Sequence, residues 1–194
     1  MVGEPYGAVD DPACYKGTHI LINLRDLRTA AELEAFEIEE VGRRSLMPPP
    51  IGNFDPHHYR ALHHHLFQDV YPWAGEYRTI RTAKGSSMFC YPEHIEKEMN
   101  KQFARLKTPA FAPLADVDAF IPAVAEFLGE LNAIHPFREG NGRTQLLFIR
   151  MLGQRARHPF RSEAVEPEAF LSAMIQSFDG STDALVDELE RMLA

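Results

Sequence analysis

Apolar side chains recur at helical spacing along most of the chain, which predicts a bundle of helices. The clearest stripe has spacings of three and four and ends just before His135-Pro136: Phe120, Val124, Phe127, Leu128, Leu131 and Ile134. After Gly140 the chain is apolar nearly all round from Leu146 to Leu152, as in a helix buried at the centre of a bundle. A short polar segment therefore lies between two core helices.

Weaker periodicity predicts further helices over residues 23–45, 55–70, 93–106, 167–178 and 182–193. Asp55 should be the N-cap of the second of these helices, because its carboxylate can accept from a free N–H group of the first turn. Pro56 suits the first helical position, because it has no backbone N–H group that would need a partner. Residues 1–18 lack periodicity and contain several glycines and prolines, so we expect an irregular, loosely packed arm without chemistry. Residues 19–194 are expected to form a single domain.

One region has the pattern of a β-hairpin. Residues 77–81 alternate apolar and charged side chains, residues 84–87 have the composition of a turn, and residues 88–91 can return as the second strand. The predicted fold class is therefore all-α, a helical bundle with one small β-hairpin.

Composition narrows the range of functions. The 194 residues have a formal net charge of -8 and a pI of about 5.6, so no overall basic field attracts nucleic acid or anionic lipid. Two cysteines, Cys14 and Cys90, are too few for a disulfide framework. The first residues resemble no signal peptide, and no apolar stretch is long enough to cross a membrane. We expect a soluble, cytoplasmic protein.

The polar segment from His135 to Arg143 concentrates the groups that phosphate-transfer sites use. Two glycines flank Asn141 at a helix start, where backbone N–H groups and the helix dipole favour an anion. Arg143 lies in the first helical turn, where a cation opposes the dipole but its fork of donors suits phosphate. Glu139 adds a carboxylate of the kind that magnesium binds beside phosphate oxygens.

His135 completes this set, because a neutral imidazole can accept a hydroxyl proton near pH 7. A histidine after a helix is usually a packing residue, and Gly-Asn-Gly alone is usually a turn. Their occurrence together within nine residues, between two buried helices, predicts a site that handles phosphate.

The segment resembles the signature of the Fic-domain family: His-Pro-Phe, any residue, Asp or Glu, then Gly-Asn-Gly-Arg. The likeness spans roughly residues 20–180. It implies transfer of AMP from Mg-ATP to a Tyr, Thr or Ser hydroxyl of another protein, with His135 as the base and Glu139 as the magnesium ligand. It assigns the phosphates of ATP to Gly140, Asn141, Gly142 and Arg143.

The resemblance also implies a flap hairpin that holds an extended target segment. Residues 79–89 are similar to that flap, and the residues assigned to target docking are Lys84, Gly85, Ser86, Ser87, Met88 and Phe89. Pairing of the target with the edge of the flap would align its backbone and leave sequence preference weak.

The sequence departs from the family pattern where a second arginine is usual, since that position is Leu146. Arg150, one turn further on, either replaces it or is a surface cation, and we expect weakened use of ATP. The self-inhibitory motif of some members is not found in the sequence. Chains of this kind resemble toxins of toxin–antitoxin pairs, which implies a small antitoxin-like partner, with topoisomerase subunits among possible targets.

Two other functions remain open from sequence. A relative could transfer another phosphate-containing group, although branches that transfer phosphoryl groups tend to lose the glycines kept here. The second alternative is a binding module without catalytic activity, in which Leu146 would reflect the loss of that activity. The five histidines between residues 57 and 65 also suggest a metal site, but neighbouring histidines point to different sides of a helix and no cysteine or carboxylate pattern accompanies them.

Overall fold

The computed structural model describes residues 11–84 and 87–193. Residues 1–10 of the expected arm, and Gly85 and Ser86 of the expected flap, lie outside the described residues. Within the described ranges the chain consists of α-helices and connecting loops with one short hairpin, which confirms the predicted all-α class. The helices are α1 (Ala30–Ser45), α2 (Pro56–Phe67), α3 (Pro92–Ala104), α4 (Val117–Ile134), α5 (Asn141–Ala156), α6 (Pro167–Phe178) and α7 (Asp183–Arg191).

Helix α1 begins seven residues later than predicted, so the expected helix over residues 23–29 is wrong. Asn23 explains the difference, because its side chain accepts hydrogen bonds from the backbone N–H groups of Arg25 and Leu27. Asp26 in addition adopts a left-handed backbone with φ of 55°. The helix starts only where the side chain of Thr29 caps the N–H of Glu32 at 3.3 Å.

Helix α2 begins as predicted, with Asp55 as its N-cap and Pro56 in the first turn. The Asp55 carboxylate accepts a hydrogen bond of 2.7 Å from the N–H of His58. The helix ends at Phe67, before the residues expected to complete it, and Tyr71 then turns back with its N–H bonded to the Phe67 carbonyl at 2.9 Å.

The hairpin is shorter than the pattern predicts, with its first strand further along the chain and its second strand beginning one residue earlier. Its strands are β1 (Ala83–Lys84) and β2 (Ser87–Met88), which pair antiparallel. The expected strand over residues 77–81 is wrong, because that segment bonds to the end of α4 instead of to a strand: the N–H of Arg78 donates to the Pro136 carbonyl at 2.9 Å. Alternation of apolar and charged side chains alone does not show whether an extended segment pairs with a strand or bonds to the end of a helix.

Helices α4 and α5 form the centre of the bundle, as their apolar stripes predict. Phe127 of α4 and Phe148 of α5 are fully buried with their rings 5.8 Å apart. Burying two such aromatic side chains contributes several kcal/mol, at about 25 cal/mol for each Å² removed from water. The rigid pair of helices fixes both ends of the polar segment that connects them.

Candidate functional site

His135 terminates α4 in a left-handed conformation with φ of 47° and ψ of 62°. A residue other than glycine seldom adopts this conformation, which turns the chain sharply out of the helix. Its N–H donates to the Leu131 carbonyl at 3.0 Å, and the ring of Phe89 stacks on its imidazole with centroids 3.8 Å apart. The imidazole is therefore held between the helix end and the base of the hairpin.

The N-terminus of α5 offers backbone donors to an anion. The first hydrogen bond of the helix runs from the N–H of Thr144 to the Gly140 carbonyl at 3.1 Å, so the three preceding N–H groups lie ahead of the helical ladder. At Gly142 an added Cβ would meet no protein atom within 4 Å. The first turn of α5 is thus open on the side where the helix dipole favours negative charge.

Gly140 is required by the backbone itself. It has φ of 80°, and an added Cβ would lie 2.3 Å from the ring of Phe67. The two glycines of the motif therefore differ: one makes the turn, and the other keeps space open in front of the helix.

Asn141 closes the polar segment with its side chain. Its amide accepts from the N–H of Phe137 at 3.0 Å and donates to the carbonyl of the same residue at 2.8 Å. The side chain is buried and engaged inside the protein. Any contact of Asn141 with phosphate must therefore use its backbone N–H, a distinction that the sequence did not provide.

Arg143 and Glu139 lie together at the mouth of the α5 N-terminus. Oε1 of Glu139 accepts from the N–H of Gly140 at 2.8 Å and pairs with Arg143 at 3.3 Å. Arg143 also pairs with Glu37 of α1 at 2.7 Å, and Tyr71 donates its hydroxyl to the second oxygen of Glu37. Glu37 is a member of the site that sequence reasoning missed, because only tertiary packing brings α1 to this helix.

His63 is the second residue that sequence reasoning missed. Its Nδ1 accepts from the N–H of Gly75 at 2.8 Å, so its Nε2 carries the proton and donates to the carbonyl of Glu139 at 3.0 Å. Its ring stacks on Phe137 with centroids 3.8 Å apart. This neutral, fully buried imidazole fixes the backbone that presents the Glu139 carboxylate.

His63 should make the stability of the protein depend on pH. Burial lowers its pKa from 6.5 to about 3. Between these values the unfolded chain binds a proton that the folded chain does not, so stability is complete above pH 6.5 and is lost as pH falls towards 3, by up to about 1.4 kcal/mol per pH unit. Urea unfolding at pH 7, 6 and 5 measures this slope.

Two variants isolate this contribution from other acid-sensitive groups. The buried-site variant His63→Gln should flatten the slope between pH 7 and pH 5. His57→Gln, at an exposed histidine of the same helix, should keep the wild-type slope. Equal slopes in the wild type and His63→Gln would contradict the assignment.

The hairpin residues are divided between packing and solvent. Phe89 is buried against His135, whereas Met88 remains 39% exposed. The N–H of Phe89 donates to the Thr82 carbonyl at 3.2 Å, which extends the pairing beyond the two short strands. Met88 thus leaves part of its side chain open to solvent, and Phe89 supports the imidazole.

The described part of the expected arm is attached to the site. Asp11 pairs with Arg138 of the polar segment at 2.7 Å, and neither side chain is more than 28% exposed. The guanidinium of Arg138 lowers the pKa of Asp11 against the opposing effect of burial. Residues 13–22 add a short antiparallel contact in which Cys14 faces Leu21. Asp11 and residues 13–15 are therefore half-buried, whereas residues 16–19 are exposed.

The ring nitrogens of the α2 histidines bond mainly to backbone groups of neighbouring segments. His58, His64 and His65 each place one ring nitrogen within 3.1 Å of a backbone carbonyl. Among residues 11–84 and 87–193, no group of three or more His, Cys, Asp or Glu side chains could hold a metal ion. In the same part of the chain, no helix is both long and apolar enough to cross a bilayer.

Comparison with known proteins identifies the family. Residues 53–152 match the model of the Fic/DOC family. The chain is 49% identical over 189 residues to the "Probable protein adenylyltransferase y4lH" of Sinorhizobium fredii (strain NBRC 101917 / NGR234), covering 97% of this chain and 98% of that protein. The chain therefore belongs to the Fic/DOC family.

Solved structures agree with this assignment. The N-terminal Fic domain of a putative cell filamentation protein from Bartonella quintana, solved with bound ADP, has a TM-score of 0.83 and 27% identity, with 94% of both chains covered. BepC from Bartonella tribocorum, solved with AMPPNP, shares the fold with a TM-score of 0.86 and 23% identity, covering 94% of this chain and 96% of that one. The family match and the similarity along nearly the whole chain show that this protein is an enzyme of the nucleotidyltransferase class.

Proposed function

We propose that this protein transfers AMP from Mg-ATP to a Tyr, Thr or Ser hydroxyl of another protein. The observation that carries the proposal is the open, donor-rich N-terminus of α5, joined through five residues to an imidazole held at the end of α4. Such a helix terminus binds phosphate without further side chains. Similarity to a probable protein adenylyltransferase and to a Fic domain solved with bound ADP supports a nucleotide as the ligand.

In this proposal His135 is the general base and the target supplies the nucleophile. The hydroxyl oxygen attacks the α-phosphorus of ATP, the bond from that phosphorus to the bridging oxygen of the β-phosphate breaks, and pyrophosphate leaves. The hydroxyl proton passes to the imidazole. The N–H groups of the first α5 turn and the guanidinium of Arg143 would hold the phosphate oxygens, with the existing carboxylate partners of Arg143 fixing its direction.

The donor set fits a magnesium ion held largely by the nucleotide. Glu139 is the one carboxylate of the motif, its side chain is 45% exposed, and its Oε1 is already directed by Gly140. A single carboxylate with phosphate oxygens and water is a common magnesium site. When bound, the ion would neutralise charge on the triphosphate and on the leaving pyrophosphate.

The flap would hold the target as an added strand. The described strands are only two residues long, so they offer a short edge, and Met88 is exposed beside it. Backbone pairing of this kind aligns a chain without demanding a particular sequence. It would present the target hydroxyl towards the α-phosphate in a reactive arrangement.

The reaction is tested by following the two ends of ATP separately. A lysate of the host is incubated with the protein, magnesium and ATP labelled at either the α- or the γ-phosphate, and modified proteins are identified by mass spectrometry. AMP transfer predicts label only from the α position and a mass increase of one adenylyl group. Label from the γ position would identify phosphoryl transfer, and label only from another nucleoside triphosphate would identify a different nucleotide.

Leu146 should limit the affinity for ATP. The residue is partly buried against the core, where it offers no donor to the outer phosphates. Leu146→Arg is expected to lower KM for ATP about tenfold, the size of one added hydrogen bond to a charged group. Steady-state kinetics over a range of ATP concentrations measures the change.

Arg150→Gln provides the matched comparison, since it removes the cation one turn further along α5. A rise in KM for ATP in this variant would mean that Arg150 replaces the missing arginine. An unchanged KM in Leu146→Arg would contradict the idea that ATP use is weakened at this position.

We also propose that a small inhibitor protein restrains the enzyme, as in a toxin–antitoxin pair, with topoisomerase subunits among the candidate targets. The support is the sequence resemblance alone. Expression of the protein without its partner should arrest growth of the host, and His135→Ala should not. Normal growth with the active protein, and no small protein copurifying with it, would contradict this part of the proposal.

A further inference from the structure

Arg78 is a buried cation outside the sequence motif. Its residue is 5% exposed, and within the described part of the chain no carboxylate forms an ion pair with it. Burial lowers its pKa, but an arginine remains charged at any working pH. A buried charge without a counter-ion is costly, so its hydrogen bonds must compensate.

The hydrogen-bond partners of the guanidinium within the described residues are backbone carbonyls. On one side, Nε donates to the His135 carbonyl at 2.7 Å and an Nη donates to the Ile134 carbonyl at 3.1 Å. These are the last carbonyls of α4, which helical bonding leaves unsatisfied and which carry the negative end of the helix dipole. The backbone N–H of Arg78 adds a bond of 2.9 Å to the carbonyl of Pro136. Three consecutive carbonyls of the catalytic turn are thus bonded to one residue.

The same guanidinium bonds to the base of the hairpin on both sides. It donates to the Ile80 carbonyl at 2.7 Å before β1 and to the Cys90 carbonyl at 2.5 Å after β2. The N–H of Cys90 also donates to the Ala133 carbonyl at 3.1 Å. The two ends of the flap and the end of α4 therefore share a planar group whose donors have fixed directions.

We propose that Arg78 is a positioning residue that sets the place of the flap relative to the imidazole of His135. The inference rests on the proposed function, because it gives the flap the role of holding the target. The left-handed turn at His135 needs partners for its carbonyls, and those partners come from the side chain that also fixes Ile80 and Cys90. A target held on the flap is thereby kept at a defined distance from the base.

The test replaces the planar guanidinium of Arg78 with an ammonium group of the same charge. In Arg78→Lys a single ammonium cannot bond to four carbonyls that lie in three segments. We expect kcat for AMP transfer to fall on the order of 100-fold, the effect of a displacement of about 1 Å in a reacting group. ATP affinity, measured by equilibrium binding, should stay within about threefold of wild type, since Arg78 does not line the α5 N-terminus.

Arg60→Lys is the matched control. Arg60 also donates to a backbone carbonyl, that of Gly75 at 2.8 Å, and its guanidinium lies over the ring of Tyr77, 5.0 Å from the ring centroid. Within the described residues no hydrogen bond or ion pair joins its side chain to α4 or to residues 79–89. Its kcat should equal that of the wild type. Equal losses in the two variants, or a loss of ATP affinity in Arg78→Lys as large as the loss of kcat, would assign Arg78 a merely structural role and overturn the proposal. So would an Arg78→Lys chain that fails to fold.

NMR of the His135 ring separates this inference from the proposed reaction. Arg78→Lys should shift or broaden the ring signals of His135, and Arg60→Lys should leave them unchanged, whether or not any protein is labelled. If the wild type labels no target but these signals respond, the proposed function fails and the positioning role stands. If the wild type labels its target and Arg78→Lys shows unchanged kcat and ring signals, the positioning role fails alone.

Discussion

Replacing His135 is expected to lower the rate of AMP transfer by about 10²- to 10⁴-fold, the usual contribution of a general base. The imidazole is the proton acceptor in the proposed reaction and is stacked on Phe89. It lies outside the N-terminus of α5, so ATP affinity should change little. Labelling with α-phosphate-labelled ATP gives the rate, and calorimetric titration gives the affinity.

The choice of replacement matters because His135 has a positive φ. Alanine tolerates this conformation poorly, whereas asparagine is among the residues that adopt it most readily. His135→Asn therefore keeps the turn and removes the base, and His135→Ala adds backbone strain to the same loss. We expect both variants to show this loss of rate and His135→Asn to be the more stable. Retained labelling by His135→Asn would exclude His135 as the base.

Gly142→Ala is expected to impair the use of ATP while leaving the fold intact or slightly more stable. An added Cβ meets no protein atom, and alanine favours a helix over glycine by up to about 1 kcal/mol. The same methyl group would occupy space in front of the α5 N-terminus, where the phosphates are proposed to bind. We expect kcat/KM for ATP to fall at least about 10-fold, since close approach of backbone N–H groups to phosphate is lost. Thermal unfolding and kinetics are measured on the same samples.

Two other glycines give matched controls. Gly42→Ala introduces the same change in α1, also with no protein atom within 4 Å, and should be stable and fully active. Gly140→Ala should be destabilised by more than about 2 kcal/mol, because φ is 80° and the added Cβ meets Phe67. If Gly142→Ala binds and uses ATP as the wild type does, phosphate does not bind at this turn.

The sequence was most informative where local chemistry decides structure. The apolar stripe of α4 and the capping pair Asp55-Pro56 follow from spacing and cap preference, and both were predicted correctly. The segment at Tyr77 was not, because alternating side chains satisfy a strand and an extended segment equally well. Its true partner, the Pro136 carbonyl, lies far away in sequence.

The supporting residues of the site were beyond sequence reasoning for the same reason. His63 meets the Glu139 carbonyl across 76 residues, and Arg78 meets the His135 carbonyl across 57. In the sequence His63 is one of five clustered histidines and Arg78 is one charged position of an alternating segment, and neither pattern indicates its partner. Each acts through backbone atoms that have no side-chain signature. Their roles depend on how the helices pack, which local spacing does not encode.

The pair between Asp11 and Arg138 bears on how the protein can be shortened. Trimming the first 18 residues looks harmless from the sequence, since that stretch has no recognisable motif. It would nevertheless remove the counter-ion of a largely shielded guanidinium one position before Glu139. An abbreviated version could fold around its apolar centre and still hold the Glu139 carboxylate in a different position, so tags belong ahead of residue 1 and not in place of the arm.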